Sequence, residues 1–68
     1  MFKQIEKNGL FPTENKEKEY TLLFDSERKF MPWAIVWLYD SSKEYGSQWA
    51  QGHYFENVYD AVAFMMGN

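Results

Sequence analysis

Seven apolar residues run without a break from Trp33 to Tyr39, so no polar helical face can be drawn through them. The run is of strand length, rich in β-branched and aromatic types, and follows directly on Pro32. It predicts a strand over residues 33–40. A strand that is apolar on both sides is normally covered on both sides, which puts this one at the centre of a sheet. The rival reading is a helix from Trp33 to Tyr45, opened by Pro32 and stopped by Gly46; Ser41-Ser42 and the unbroken run argue against it.

The flanking segments alternate. Over 19–25, Tyr20, Leu22 and Phe24 oppose Thr21 and Leu23, a strand pattern. Over 47–55, Trp49, Gln51, His53 and Phe55 oppose Ala50, Gly52 and Tyr54. Polar turns at 25–29 and 40–46 separate the three strands, the second closed by Gly46. Beyond them the period changes. Val58, Ala61, Val62 and Met65 form a helical stripe over about 58–66, with Asn57 as N-cap, Asp60 three residues on, and Gly67 in the place of a C-terminal glycine.

Residues 1–12 read as a short docking element. Phe2 and Ile5 at helical spacing before Asn8-Gly9 favour one or two helical turns, while the same Asn-Gly pair could centre a hairpin. Residues 13–18 are polar with alternating charge, as expected of a solvated connector. The whole is expected to be one α+β domain over 1–68: a three-stranded antiparallel meander, packed on one side by the C-terminal helix, with 19–67 as its βββα core.

Pairing Leu38 with Trp49 sets Ile35 near Gly52 and Trp33 near Tyr54, large against small. In that register the helix covers Trp33, Ile35, Trp37 and Tyr39. Trp37 is then core, and its truncation to Ala should cost about 3–5 kcal/mol. The other face carries Ala34, Val36 and Leu38 beside Trp49, Gln51, His53 and Phe55. One helix covers one face, so this second face needs the N-terminal segment, another copy of the chain or a partner. Val36, Leu38, Trp49, Gln51, His53 and Phe55 are therefore the candidate interaction face, and Trp49→Ala should leave the fold intact while abolishing association.

Composition sharpens this picture. The chain has 68 residues, no cysteine, three Trp, five Tyr and six Phe, so aromatic burial stands where a disulfide otherwise would. No stretch reaches the ~18–20 apolar residues of a membrane span, and no basic region followed by an apolar run opens the chain. A soluble, cytoplasmic protein is expected. The net charge of −3 falls on residues 33–68, where Lys43 stands against Asp40, Glu44, Glu56 and Asp60; phosphate backbones are repelled by such a surface.

Candidate chemistry is sparse. His53 is the single histidine, and no spacing brings it a nucleophile, a carboxylate or a second metal ligand. Asp40 and Glu44 fall at the opposite end of the meander from Glu56 and Asp60. The four glycines are scattered and build no phosphate loop. The expectation is a non-enzymatic protein-interaction module without cofactor or metal, acting as a homodimer or as a small accessory or inhibitory protein of phage or mobile-element type. The alternatives are a single-stranded nucleic-acid binder that stacks bases on Trp49, His53 and Phe55, and an acidic nucleic-acid mimic.

Overall fold

The computed structural model describes residues 1–67. Its elements are β1 (Lys3–Gln4), β2 (Glu14–Asn15), β3 (Tyr20–Phe24), β4 (Trp33–Trp37), β5 (Gln51–Phe55) and α1 (Val58–Met66), with a single 3₁₀ turn at Tyr45–Ser47. The strands form one antiparallel sheet of order β1-β3-β4-β5, with β2 also paired to β3. The expected meander is its centre and the apolar run its middle strand. Among the described residues no helix is long and apolar enough to cross a membrane.

The expected count of three strands is short by two. Lys3 and Gln4 pair with Phe24 and Leu23, and Glu14 and Asn15 pair with Thr21 and Tyr20, so β1 and β2 lie end to end along the outer edge of β3. The N-terminal residues are therefore not helical. Asn8 does not stop a helix but shapes a turn, its side-chain oxygen accepting from the amides of Leu10 (2.8 Å) and Phe11 (3.2 Å). One or two isolated helical turns are unstable, whereas a strand edge offers backbone partners at once. Nor is 13–18 only a solvated connector. Thr13 is buried and its carbonyl accepts from the Leu22 amide at 3.0 Å. Ladder pairing needs no apolar side chain, so this segment is silent in the hydrophobic pattern.

The strands are also shorter than 19–25, 33–40 and 47–55 suggest. Glu19 and Leu38 both adopt left-handed backbone conformations, φ 60° and 57°, and the Leu38 amide donates to the Glu19 carbonyl at 3.1 Å. The two together end the β3–β4 ladder. The turn at Leu38 also breaks the alternation of side chains, and Tyr39 lands on the face opposite to the one its place in the run implies.

Register between β4 and β5 is offset by one residue from the expected pairing: Trp33 opposes Phe55, Ile35 opposes His53 and Trp37 opposes Gln51. A one-residue offset exchanges the two faces of β5. The helix does lie on the face of Trp33 and Ile35, as expected. Ala61 and Met65 bury Leu22 and Ile35 there, ringed by Ile5, Phe11, Tyr20, Trp33, Phe55, Val58 and Val62. Its N-cap is reciprocal: the Asp60 amide donates to Asn57 Oδ1 at 2.9 Å, and Asn57 Nδ2 donates to Asp60 Oδ2 at 3.1 Å. Gly67, in contrast, is extended (φ −74°, ψ 165°) rather than left-handed. Glycine suits it because a Cβ there would collide with the Ala63 carbonyl oxygen.

The other face is not open. Phe2, at 5% exposure, completes a core with Leu23, Ala34 and Val36, and Tyr39 and Trp49 pack against it. The Phe2 ring meets Trp49 edge-on (6.2 Å between centroids) and tilts against Tyr54 (5.7 Å). The Arg28 guanidinium lies 5.1 Å from its centre. The Phe2 amide donates to the Tyr45 hydroxyl at 3.1 Å. Of the three covers the sequence allowed for this face, the N-terminal segment is the one seen.

Candidate interaction site

The six residues of the expected interaction face do not share a surface. Val36 is fully buried under Phe2 and Trp49. Trp49 is half-buried in the same cluster, where Phe2, Tyr39 and Tyr45 surround it. Phe55 belongs to the helix-side core. Leu38, Gln51 and His53 are exposed. The one-residue register offset carries Gln51, His53 and Phe55 to the helix side, whereas Trp49 stands in the loop before β5 and packs on the other side. The contrast expected between two tryptophans is likewise reversed: Trp49 is packed into a core, and Trp37 is 40% exposed.

Trp37 marks what the helix fails to cover. Nine residues of helix span about 14 Å, and the last turn reaches Tyr20 but not beyond. Phe64 there stacks between Tyr20 (5.5 Å), His53 (4.6 Å) and Phe55 (5.5 Å). Past it, Lys18, Tyr20, Trp37, Gln51 and His53 line an open cleft of about 180 Å³. Trp37 lines it from the end of β4, flanked by its ladder partners Tyr20 and Gln51. Trp33 is shielded by Phe11 and Phe24 and Trp49 by Phe2; among the described residues, Trp37 has no such aromatic cover.

Hydrogen bonds fasten the helix end beside the cleft. Asn15 Nδ2 donates to the Met65 carbonyl at 2.9 Å, and Lys18 Nζ donates to the Gly67 carbonyl. Two carbonyls otherwise orphaned by the helix terminus are thereby satisfied. Lys18 is the one cation lining the cleft among the described residues, and its ammonium is engaged by that carbonyl. Leu38, 47% exposed and in its left-handed conformation, adjoins Trp37 in the chain. Such backbone costs about 1–2 kcal/mol for a residue with a Cβ and gathers at functional positions.

The cleft opens toward the edge of the sheet. Gln51 and His53 both line it and belong to β5, whose outer side has no strand neighbour among the described residues. Beside that edge stand Phe64 (37% exposed) on the helix face and Tyr54 (40% exposed) on the other.

Two carboxylates are perturbed, both away from the cleft. The Glu27 amide, donating to Asp25 Oδ1 at 2.9 Å, holds the Asp25 carboxyl below the usual aspartate range against the opposing effect of burial; the Met1 amino group 3.4 Å away and Arg28 act in the same direction as the amide. Asp40 is lowered by the Ser42 hydroxyl at 2.6 Å and the Ser42 amide at 3.0 Å, with a smaller contribution from Lys43. Both carboxylates anchor turns. Sequence reasoning missed Trp37 as a surface residue, while docking of the N-terminal segment that carries Phe2 was among the covers it allowed for the second face; Trp37 is left exposed by where the helix ends, with Phe64 against Tyr20. No protein family, curated protein or solved structure matches this chain.

Proposed function

We propose that this chain is a non-enzymatic protein-interaction module of the cytoplasm, and that it binds through the Trp37 cleft and the adjoining edge of β5. The observation that carries the reading is Trp37 itself. A small domain rich in aromatics covers its other two tryptophans with rings and leaves this one 40% exposed on its central strand. Exposed Trp is rare among surface residues and dominates interface energetics where it occurs, together with Tyr and neighbouring apolar groups. The cleft combines that ring with Tyr20, Gln51, His53 and Lys18, a mixed aromatic and polar lining suited to a peptide segment that brings a side chain together with backbone hydrogen-bonding groups.

The test is site-specific photo-cross-linking in cells, with the reactive residue placed at Gln51 and, as control, at the exposed Leu10. A discrete protein adduct from position 51 that is absent from position 10, and absent again when Trp37 is changed to Ser, supports the reading. Equal labelling from both positions, or labelling indifferent to Trp37→Ser, overturns it.

The same rings favour a second reading, stacking of single-stranded nucleic acid on Trp37, Tyr20 and His53. It predicts quenching of Trp37 fluorescence by an oligonucleotide, with affinity falling steeply as salt rises. A surface with one engaged cation gives it weaker support.

A further inference from the structure

β5 is an edge strand without protection. It keeps register with β4 over five consecutive pairs, Gln51 to Phe55, with no bulge. It contains no Lys, no Pro and no charged residue of either sign, the devices by which proteins blunt an open edge. The opposite edge is treated differently. There β1 and β2, two residues each, cover β3 and carry Lys3 and Glu14. Among the described residues each chain thus offers one long open edge, so pairing through it closes at two copies instead of running on into a filament.

We propose that β5 pairs antiparallel with β5 of a second copy of this chain, joining two sheets into one; the proposal rests on the reading of this surface as an interaction site and names its occupant. Symmetry fixes the register. Opposed residues of an antiparallel pair lie on the same face, and a two-fold axis normal to the sheet preserves faces, so only positions of equal parity can meet. Pairing all five residues sets His53 opposite His53 of the second copy, Gln51 opposite its Phe55 and Gly52 opposite its Tyr54. No charge meets a like charge along the strand, and Gly52, over which Tyr54 and Trp49 of its own chain already close, adds no side chain of its own to the seam. Both helices fall on one face of the joined sheet, where Phe64 and His53 of each copy line the seam. Phe55 of the second copy arrives beside Gln51, the wall of the Trp37 cleft. Such a seam is smaller than the ~800 Å² per partner of a standard interface, which implies micromolar rather than nanomolar association.

The experiment uses the symmetry. His53 is exposed apart from its ring contact with Phe64, so His53→Glu and His53→Lys are each first checked to keep the wild-type far-UV spectrum. Molar mass is measured by light scattering across about 1–300 μM, bracketing that affinity. Wild type is expected to reach twice the chain mass, each variant alone to weaken by roughly 100-fold or more through like-charge opposition, and an equimolar mixture of the two to recover the dimer. A monomeric wild type at every concentration, or a dimer that both variants leave intact, or a mixture that stays monomeric, overturns the proposal. The cross-link at Gln51 separates this failure from that of the interaction reading: an adduct to a different protein keeps the module and removes the second copy, whereas indiscriminate labelling removes both.

Discussion

Phe2→Ala is the sharpest test of how this fold closes. The side chain is 5% exposed although it stands one residue from the start of the chain. It fills the space over Leu23, Ala34 and Val36 that the single helix cannot reach. Removing the ring forfeits about 2–3 kcal/mol of transfer free energy. Its edge contact with Trp49 and the Arg28 guanidinium over its face add about 0.5–1 kcal/mol each. The sum is about 3–5 kcal/mol, the usual range for a buried Phe cut to Ala. A folded chain of 68 residues has some 3–10 kcal/mol in total, so the loss is a large part of the whole. Urea titration followed by tryptophan fluorescence reads it directly, because Trp49 sits on the Phe2 ring. With a slope near 1 kcal/mol per molar, typical at this size, the midpoint should fall by about 3–5 M, or the variant should be unfolded in buffer. A midpoint within about 0.5 M of wild type would mean that Phe2 is not core, and that the second sheet face is covered in some other way.

Three further outcomes follow from particular contacts. Trp49→Ala should destabilise by about 2–4 kcal/mol and Trp37→Ala by about 1 kcal/mol or less; denaturation curves in the opposite order would restore the alternative β4–β5 register. Gly67→Ala forces a Cβ against the Ala63 carbonyl and should cost about 1–2 kcal/mol, seen as early melting of helix by far-UV circular dichroism, where an unchanged melt would refute the close approach. Asp25, whose folded pKa is depressed, contributes stability that is complete above its unfolded pKa near 3.9 and is lost as pH falls through the lower folded value. Asp25→Asn should therefore flatten the acid limb of the melting temperature below about pH 4, and parallel limbs in the two proteins would show that the carboxylate is not coupled to folding.

What was legible in the sequence was what side-chain pattern controls. The apolar run from Trp33, the alternation around Leu22 and the stripe through Ala61 and Met65 specify the central strand, its neighbour and the helix, and Asn57 caps where its side chain says it should. Three things were not legible. β1 and β2 are held by backbone pairing, and their residues Lys3, Gln4, Glu14 and Asn15 carry no apolar signal. The register of β5 is ambiguous because both its faces bear aromatics, Phe55 and His53 on one and Tyr54 on the other, so a shift by one leaves a plausible pattern. Leu38 adopts a backbone conformation that its type disfavours, and no local preference could have announced the turn that sends Tyr39 to the opposite face.

The location of the candidate site follows from a shortage of cover. A three-strand centre whose strands are about 16 Å long has two faces to roof, and the chain supplies one nine-residue helix and whatever its ends and loops can add. The N-terminal Phe2 and the loop-borne Trp49 roof one face, held by Arg28 and the Tyr45 hydroxyl. The helix roofs the other from Trp33 as far as Tyr20, because Asn57 fixes where it starts and Gly67 closes against Ala63 where it ends. At that point Asn15 and Lys18 fasten its terminal carbonyls. The residues that stabilise the helix end thus stand beside the uncovered tryptophan, Lys18 within the lining of the cleft itself. Asn15→Ala and Lys18→Ala should consequently loosen the helix terminus and reduce binding together, whereas a surface residue exposed by chance would show no such coupling.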